Sequence, residues 1–133
     1  MASFQFELVA PEKLVYSGEV ESVVIPGTEG EFTVLKDHAP LISEIRPGVV
    51  VVEESAAAKL RLYVRSGIAE VAPSGLTILA DQAVSLEEVD AAKLDAEIAT
   101  FQEYAHGATT DEARRVAVEK RDRLREIKAA LKM

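Results

Sequence analysis

The sequence predicts an antiparallel β-sandwich that gives way, after about residue 84, to an antiparallel pair of α-helices. Two observations carry this expectation. Turn signals recur about every 8–12 residues through the first part of the chain, with β-branched or alternating runs between them, which is the spacing of a sandwich. From Leu86 onward there is no proline, Gly107 is the sole glycine, and Ala, Glu, Lys, Arg and Leu, all good helix formers, dominate.

Each strand has its own signature. Phe4, Phe6 and Leu8 alternate with Gln5 and Glu7, the period of a half-buried strand. Pro11-Glu12 turns the chain, and Leu14-Val15-Tyr16 follows before Gly18. Val20 to Ile25 makes the next run and ends at Pro26-Gly27. Pro presets φ and Gly30 accepts a positive φ, so this stretch reads as a tight reversal. Phe32-Thr33-Val34-Leu35 is apolar and β-branched, as expected of a strand packed on both faces. Lys36 to Pro40 interrupts it, Leu41-Ile42 resumes, and Pro47-Gly48 closes the unit. Val49 to Val52, a loop from Glu53 to Ala58, then Leu60 to Val64, Ile68 to Val71 and Leu76 to Leu79 complete the strands.

The helical part opens on Ser85-Leu86-Glu87-Glu88, which fits a capping box. Ala91, Leu94, Ile98, Phe101 and Ala105 share one helical face, and His106-Gly107-Ala108 ends that helix. An imidazolium at His106 would complement the helix dipole there. Thr109 to Glu112 offers a second box, and Ala113, Ala117, Leu124, Ile127 and Leu131 form the second stripe. The connection is short, so the helices are antiparallel. The stripes are narrow and alanine-rich. Such a hairpin buries little area and is expected to be a movable element.

Composition removes several functions. At 133 residues with 48% apolar and 29% charged side chains, the chain supports one good core, or one core with a small appendage, and folds as a globular protein. No apolar run approaches the roughly 20 residues of a membrane span, and the N-terminal residues lack a signal-peptide pattern. A cytoplasmic protein is expected. The chain has no cysteine, so disulfides, thiol catalysis and thiolate metal sites are excluded. Its two histidines are far apart, without H-E-x-x-H spacing, and no metal site is expected. The net charge of −8 argues against nucleic acid or anionic lipid as partner. That charge is uneven: −6 over residues 1–84, −5 over 85–110 and +3 over 111–133. Asp37, His38 and Ser43 hold the residue types of a catalytic triad. Adjacent side chains diverge, however, and no nucleophile elbow occurs, so no catalytic residue is expected.

Residues 25 to 42 read I-P-G-x-x-G-x-F-x-V-L-x-x-H-A-P-L-I, and this pattern resembles the ε-subunit family of bacterial and chloroplast-type F1Fo ATP synthases. Ser66-Gly67-Ile68-Ala69-Glu70-Val71 and Leu79-Ala80-Asp81-Gln82-Ala83 resemble two further segments of that family. The resemblance covers essentially the whole chain. It implies a non-catalytic rotor subunit, peripheral on the cytoplasmic face of the inner membrane and not inserted in it. The β-sandwich of residues 1–84 would join the γ subunit to the c-ring, and the hairpin of residues 85–133 would regulate by facing the α/β catalytic hexamer. It further implies rotor contacts at Glu31, His38, Ser43 and Ser66. Without the resemblance, the same residues suit a free-standing β-sandwich binding module with a helical tail.

Some members of that family bind regulatory ATP through an I/L-D-x-x-R-A motif and arginines of the second helix. Here the matching stretch is Val89-Asp90-Ala91-Ala92-Lys93-Leu94. Asp90 is kept, but Lys93 lacks the planar fork of arginine, Leu94 replaces a methyl group, and Val84 stands where ATP-binding members carry an acid. Arg114, Arg121 and Arg125 fall at i, i+7 and i+11 and share a face. That face suits an anion, the acidic segment 87–103, or an acidic partner surface; equally it suits plain solvation with i,i+4 partners. Regulatory ATP is expected to bind weakly or not at all, and no other cofactor is expected.

Overall fold

The computed structural model describes residues 2–131. It contains two compact units, one ending at Glu87 and one beginning at Glu88. The first is a β-sandwich and the second a helical hairpin, in line with the sequence.

The sandwich has ten strands: β1 (Phe4–Ala10), β2 (Lys13–Val20), β3 (Ser22–Gly27), β4 (Gly30–Val34), β5 (Leu41–Ile45), β6 (Gly48–Ser55), β7 (Ala58–Val64), β8 (Gly67–Ala72), β9 (Gly75–Ala80) and β10 (Ala83–Ser85). They follow one path, β10-β7-β6-β3-β5-β8-β9-β1-β2, with β4 added to β3. The path folds at its weakest joint, where β3 and β5 pair only at Gly27 and Ile45. One layer is therefore β10-β7-β6-β3-β4 and the other β5-β8-β9-β1-β2. At the far side β2 returns against β6 and β10. There the Tyr16 hydroxyl donates to Glu54 Oε2 at 2.7 Å, and the Tyr16 ring lies 5.4 Å from that of Phe6. Burial, and then the hydrogen bond to the Glu54 carboxylate and its charge, push the Tyr16 phenol well above its ordinary range.

Between the layers the interior is apolar. Phe6 and Leu8, Val50 and Val52, Leu62 and Val64, and Leu76 and Ile78 point inward at alternate positions and are all but inaccessible. Among the described residues no polar side chain is buried. At about 25 cal/mol per Å², these side chains supply the main stabilisation of the unit.

Three strand readings are corrected. Phe32 to Leu35 is packed on one face only: Val34 is buried and Phe32 half-buried, while Thr33 and Leu35 are exposed, because β4 sits at the margin of its layer. The expected loop from Glu53 to Ala58 shrinks to Ala56-Ala57, since β6 runs on to Ser55 through a register shift. A further strand, β10, pairs Ala83–Ser85 with β7.

In the helical unit, α1 spans Ala91–Gly107 and α2 spans Asp111–Leu131. Ser85 is not the cap, because it belongs to β10, and Leu86–Glu88 form a 3₁₀ turn whose Glu87 is held by the Arg61 backbone and side chain. Asp90 caps α1 instead, accepting from the amides of Ala92 and Lys93 at 2.9 and 3.2 Å. Thr110, not Thr109, caps α2 through the Ala113 amide. Leu94, Ala105, Ala117 and Ile127 are buried as the stripes require, and Ala130 joins them. Ala91 and Ala113, at the helix starts, stay exposed.

Candidate functional site

The margin of the sandwich formed by β4 and β5 differs from everything else in the fold. Its upper corner is the β3–β4 hairpin, in which Thr28 and Glu29 alone make the loop and Gly30 takes φ +132°, a conformation an L side chain resists. Three bonds tie this corner to the end of β5. The Thr28 amide donates to Glu44 O at 3.1 Å, the Arg46 amide to Pro26 O at 2.9 Å, and Arg46 Nε to Gly27 O at 3.1 Å. The opposite corner is the Lys36–Pro40 turn, where Asp37 adopts a left-handed φ of +64° and the His38 amide closes on Leu35 O.

The sequence-predicted rotor residues distribute along this margin. Glu31 is exposed on β4 beside the hairpin. His38 lies in the opposite corner, its ring 6.5 Å from that of Phe32. Its Nδ1 lies 2.7 Å from the Ala39 carbonyl, which can only accept, so Nδ1 carries the proton. Ser43 sits half-buried on β5 and donates to Glu44 O at 3.1 Å. Ser66 immediately precedes Gly67, which pairs with Ile45 on β5, and its carbonyl accepts from the Asp81 amide at 2.8 Å. Glu31 and Ser66 therefore belong to the hairpin corner, His38 to the other, and Ser43 to the strand between. Neither Ser43 nor Asp37 is a hydrogen-bond partner of the His38 ring, whose Nδ1 is taken by the backbone.

The same margin is unusually apolar. Leu35 and Leu41 flank the turn, exposed by 56% and 40%, and Ile42 on β5 reaches 70%. On the same outward face Ile42 pairs with Glu70 and Ile68 with Glu44, so Ile42 and Ile68 are diagonal neighbours; beyond them Ile68 pairs with Leu79, and Leu79 and Leu14 both align with Val9. Ile68, Leu79 and Leu14 are each about half exposed. A row of aliphatic side chains from Ile68 to Leu14 thus crosses four strands on the water-facing surface, with Ile42 diagonal to its end; single exposed residues are ordinary there, but such a row suits contact. Sequence reasoning missed this row. Its signal was present in Leu76-Thr77-Ile78-Leu79, which is apolar at both parities and so had to expose one of them.

In the hairpin the predicted anion-binding residues separate. Asp90 is spent on capping, and Lys93 is exposed one turn further on. Arg114 pairs with Asp111 at 3.4 Å and donates to Ala108 O, and Arg121 pairs with Asp122 at 3.0 Å. Arg125 reaches Gln102 Oε1 across the hairpin at 2.8 Å, and Lys128 reaches Asp95 at 2.7 Å. Of the readings open to the arginine face, the segment 87–103 is met only through Gln102, while the acids paired with Arg114 and Arg121 lie on α2 itself. Lys128, one turn further along, makes the ion pair with that segment. This antiparallel register puts Asp90 and Lys93 at one end of the hairpin and Arg114 at the other, about 20 Å away at 1.5 Å per residue. Arg114 and Arg121 instead line an open groove of about 750 Å³ with Gln102, Glu103, His106 and Val118. No helix of the described residues is long and apolar enough to cross a membrane.

Residues 3–86 match the family described as "ATP synthase, Delta/Epsilon chain, beta-sandwich domain". The chain belongs to the ATP synthase delta/epsilon family. It is 46% identical to the ATP synthase epsilon chain of Parvibaculum lavamentivorans over 92% of this chain and 93% of the relative. It is 47% identical to that of Mesorhizobium japonicum over 84% and 83%, and 42% identical to one from Rhodopseudomonas palustris over 98% and 96%. Its fold matches a chain of the Euglena gracilis mitochondrial ATP synthase with a TM-score of 0.69 and 24% identity, covering 99% of this chain and 81% of that one. A chain of the Tetrahymena thermophila central stalk and c-ring structure gives 0.59 at 14% identity, covering 96% of each. The four rotor candidates lie within the matched sandwich domain, and the hairpin residues lie beyond it, in the part covered by the longer relatives.

Proposed function

We propose that this chain is the ε-type subunit of the central stalk of an F1Fo ATP synthase, without catalytic groups of its own. Its sandwich docks on the γ subunit and the c-ring at the β4–β5 margin. The observation that carries the docking reading is the aliphatic row from Ile68 to Leu14 with Ile42 diagonal to its end, adjoining the margin on which Glu31, His38, Ser43 and Ser66 lie. Epsilon chains named as such, at 41–49% identity, supply the complex to which the sandwich belongs. As a peripheral subunit it sits at the cytoplasmic face of the membrane, held by its partners.

The hairpin acts as the regulatory element. Its basic helix faces an acidic surface of the catalytic hexamer when it moves, and each exposed pair is worth only about 0.2–1 kcal/mol, so several act together. The spent carboxylate of Asp90 and its distance from Arg114 leave regulatory ATP weakly bound or unbound. The discriminating experiment is capture of γ from a lysate by the purified chain and by its Ile42→Asp variant. Wild-type capture with loss in the variant supports the reading; no capture by wild type favours a free-standing binding module. A second measurement, ATP hydrolysis by F1 reconstituted with the Arg114→Ala, Arg121→Ala, Arg125→Ala variant, is expected to differ from wild type in its dependence on salt. Identical rates at every ionic strength would leave those arginines merely solvated.

A further inference from the structure

Near its loop the helical hairpin carries an uncovered apolar face. Tyr104 on α1 and Val116 on α2 are, among the described residues, the exposed large hydrophobic side chains of this unit, at 62% and 39%. The Tyr104 ring stands edge-on to that of Phe101, with centroids 5.9 Å apart. The three side chains border an open groove of about 540 Å³ between the helices, with Glu112, Ala113 and Lys120 on its α2 side.

The charges on this face point to an occupant. Glu112, Val116 and Lys120 fall at i, i+4 and i+8 of α2. An acid and a base thus stand on either side of Val116 at equal distances, about 12 Å apart at 1.5 Å per residue. Among the described residues neither makes an ion pair, whereas Arg114, Arg115, Arg121 and Lys128 each hold an acid at 2.7–3.4 Å. Lys120 instead lies 5.6 Å from the centre of the Phe101 ring. An unpaired acid and an unpaired base spaced evenly about an apolar centre form a self-complementary strip. A two-fold axis through Val116, perpendicular to α2, brings a second α2 antiparallel to the first. Val116 then meets its own copy, and Glu112 meets Lys120 twice. A parallel second helix in register would set acid on acid and base on base. An acidic or a basic partner would satisfy only one of the two charges.

We propose that this face is a self-association site, through which two copies of the chain pair by their α2 helices in an antiparallel, isologous dimer. Tyr104 and Phe101 flank the seam as its aromatic anchors. Few residues take part, well short of the roughly 20–30 a side of a standard interface, so the dimer is weak and dissociates on dilution. It concerns the unassembled chain and does not depend on the stalk reading.

Sedimentation equilibrium of the full chain, from about 10 μM to about 1 mM, reads the association constant. The wild-type chain is expected to dimerise reversibly within that range. Val116→Glu puts a charge at the two-fold axis and should weaken dimerisation at least about tenfold. Glu112→Lys and Lys120→Glu, each alone, turn both cross-pairs repulsive and should weaken it about fivefold. The decisive sample is an equimolar mixture of these two single variants. One chain is then basic at both positions and the other acidic at both, so mixed dimers regain both pairs and association returns to the wild-type level. The competing role of Glu112 is to complement the α2 dipole from its first turn, and that role gives no recovery on mixing. A chain that stays monomeric throughout overturns the proposal and leaves the face to solvent or to a different partner. A dimer indifferent to Val116→Glu, or a mixture no stronger than its parents, overturns it equally. Should Glu112→Lys fray the helix, Val116→Glu and Lys120→Glu decide, since both positions are exposed in mid-helix and both changes must weaken the dimer.

Discussion

The two margins of the sandwich are made of the same kind of strand and do opposite things. At the β2–β10 margin the sheet closes: β2 lies against β6 and β10, Tyr16 donates to Glu54, and its ring packs on the buried Phe6. At the β4–β5 margin the layers are joined by one residue pair, and Leu35, Leu41 and Ile42 are left uncovered. One margin has its contacts satisfied within the chain and the other has them reserved. Stability should accordingly be read at the first and partner binding at the second.

The largest expected effect comes from breaking the closed margin. Phe6→Ala should cost about 3–5 kcal/mol of folding stability, as aromatic truncations in full cores do, measured by denaturant unfolding of the isolated chain. Affinity for γ, corrected for the folded fraction, should not change; a matching loss of affinity would mean the margins are not separable. Next, Ile42→Asp should lower γ affinity at least tenfold, about 1.4 kcal/mol, while shifting stability by less than about 0.5 kcal/mol, because its side chain already faces water. Capping gives a smaller effect in the helical unit: Asp90→Ala should remove about 1 kcal/mol from α1, read as earlier melting of the helical circular dichroism.

The smallest effect sharpens the closed margin by pH. The Tyr16 phenol has its pKa raised in the folded state, so the folded chain holds that proton more tightly than the unfolded one. Its contribution is fully present below the unfolded value of about 10 and is lost as pH rises above it. Wild type should therefore lose stability on going from pH 9 to higher pH, and Tyr16→Phe should lose less over the same interval. Equal pH slopes for the two proteins would remove the Tyr16–Glu54 bond from the closure.

Much of this was legible in the sequence, and for definite reasons. A strand such as Phe4–Leu8 alternates, and period two admits few other readings. The change to alanine-rich, proline-free sequence announced the helices. Two failures share a cause. Leu35 read as core because a run of apolar residues does not say whether its strand is central or marginal, and only the pairing of β4 with β3 alone decides that. The row from Ile68 to Leu14 was invisible because it runs across strands, not along the chain. The helix start was misplaced through competition: Ser85 and Asp90 both suit a cap, and pairing of β10 with β7 took Ser85 into the sheet. Glu31, His38, Ser43 and Ser66 are candidates singled out by the family pattern alone, whereas their shared margin is a matter of topology.

The most direct test of the asymmetry uses the absence of cysteine in the chain. Single cysteines at Glu31, His38, Ser43 and Ser66 on the open margin, and at Glu19 and Ser85 on the closed one, can each carry a short photo-activated cross-linker in the assembled synthase. The account predicts cross-links from the first set to γ or the c-ring and none to these rotor subunits from Glu19 and Ser85; Lys13, beside Leu14 at the end of the aliphatic row, is left out of the closed set. Cross-links to γ or the c-ring from Glu19 or Ser85, with the open-margin set reaching only the α or β subunits, would contradict it.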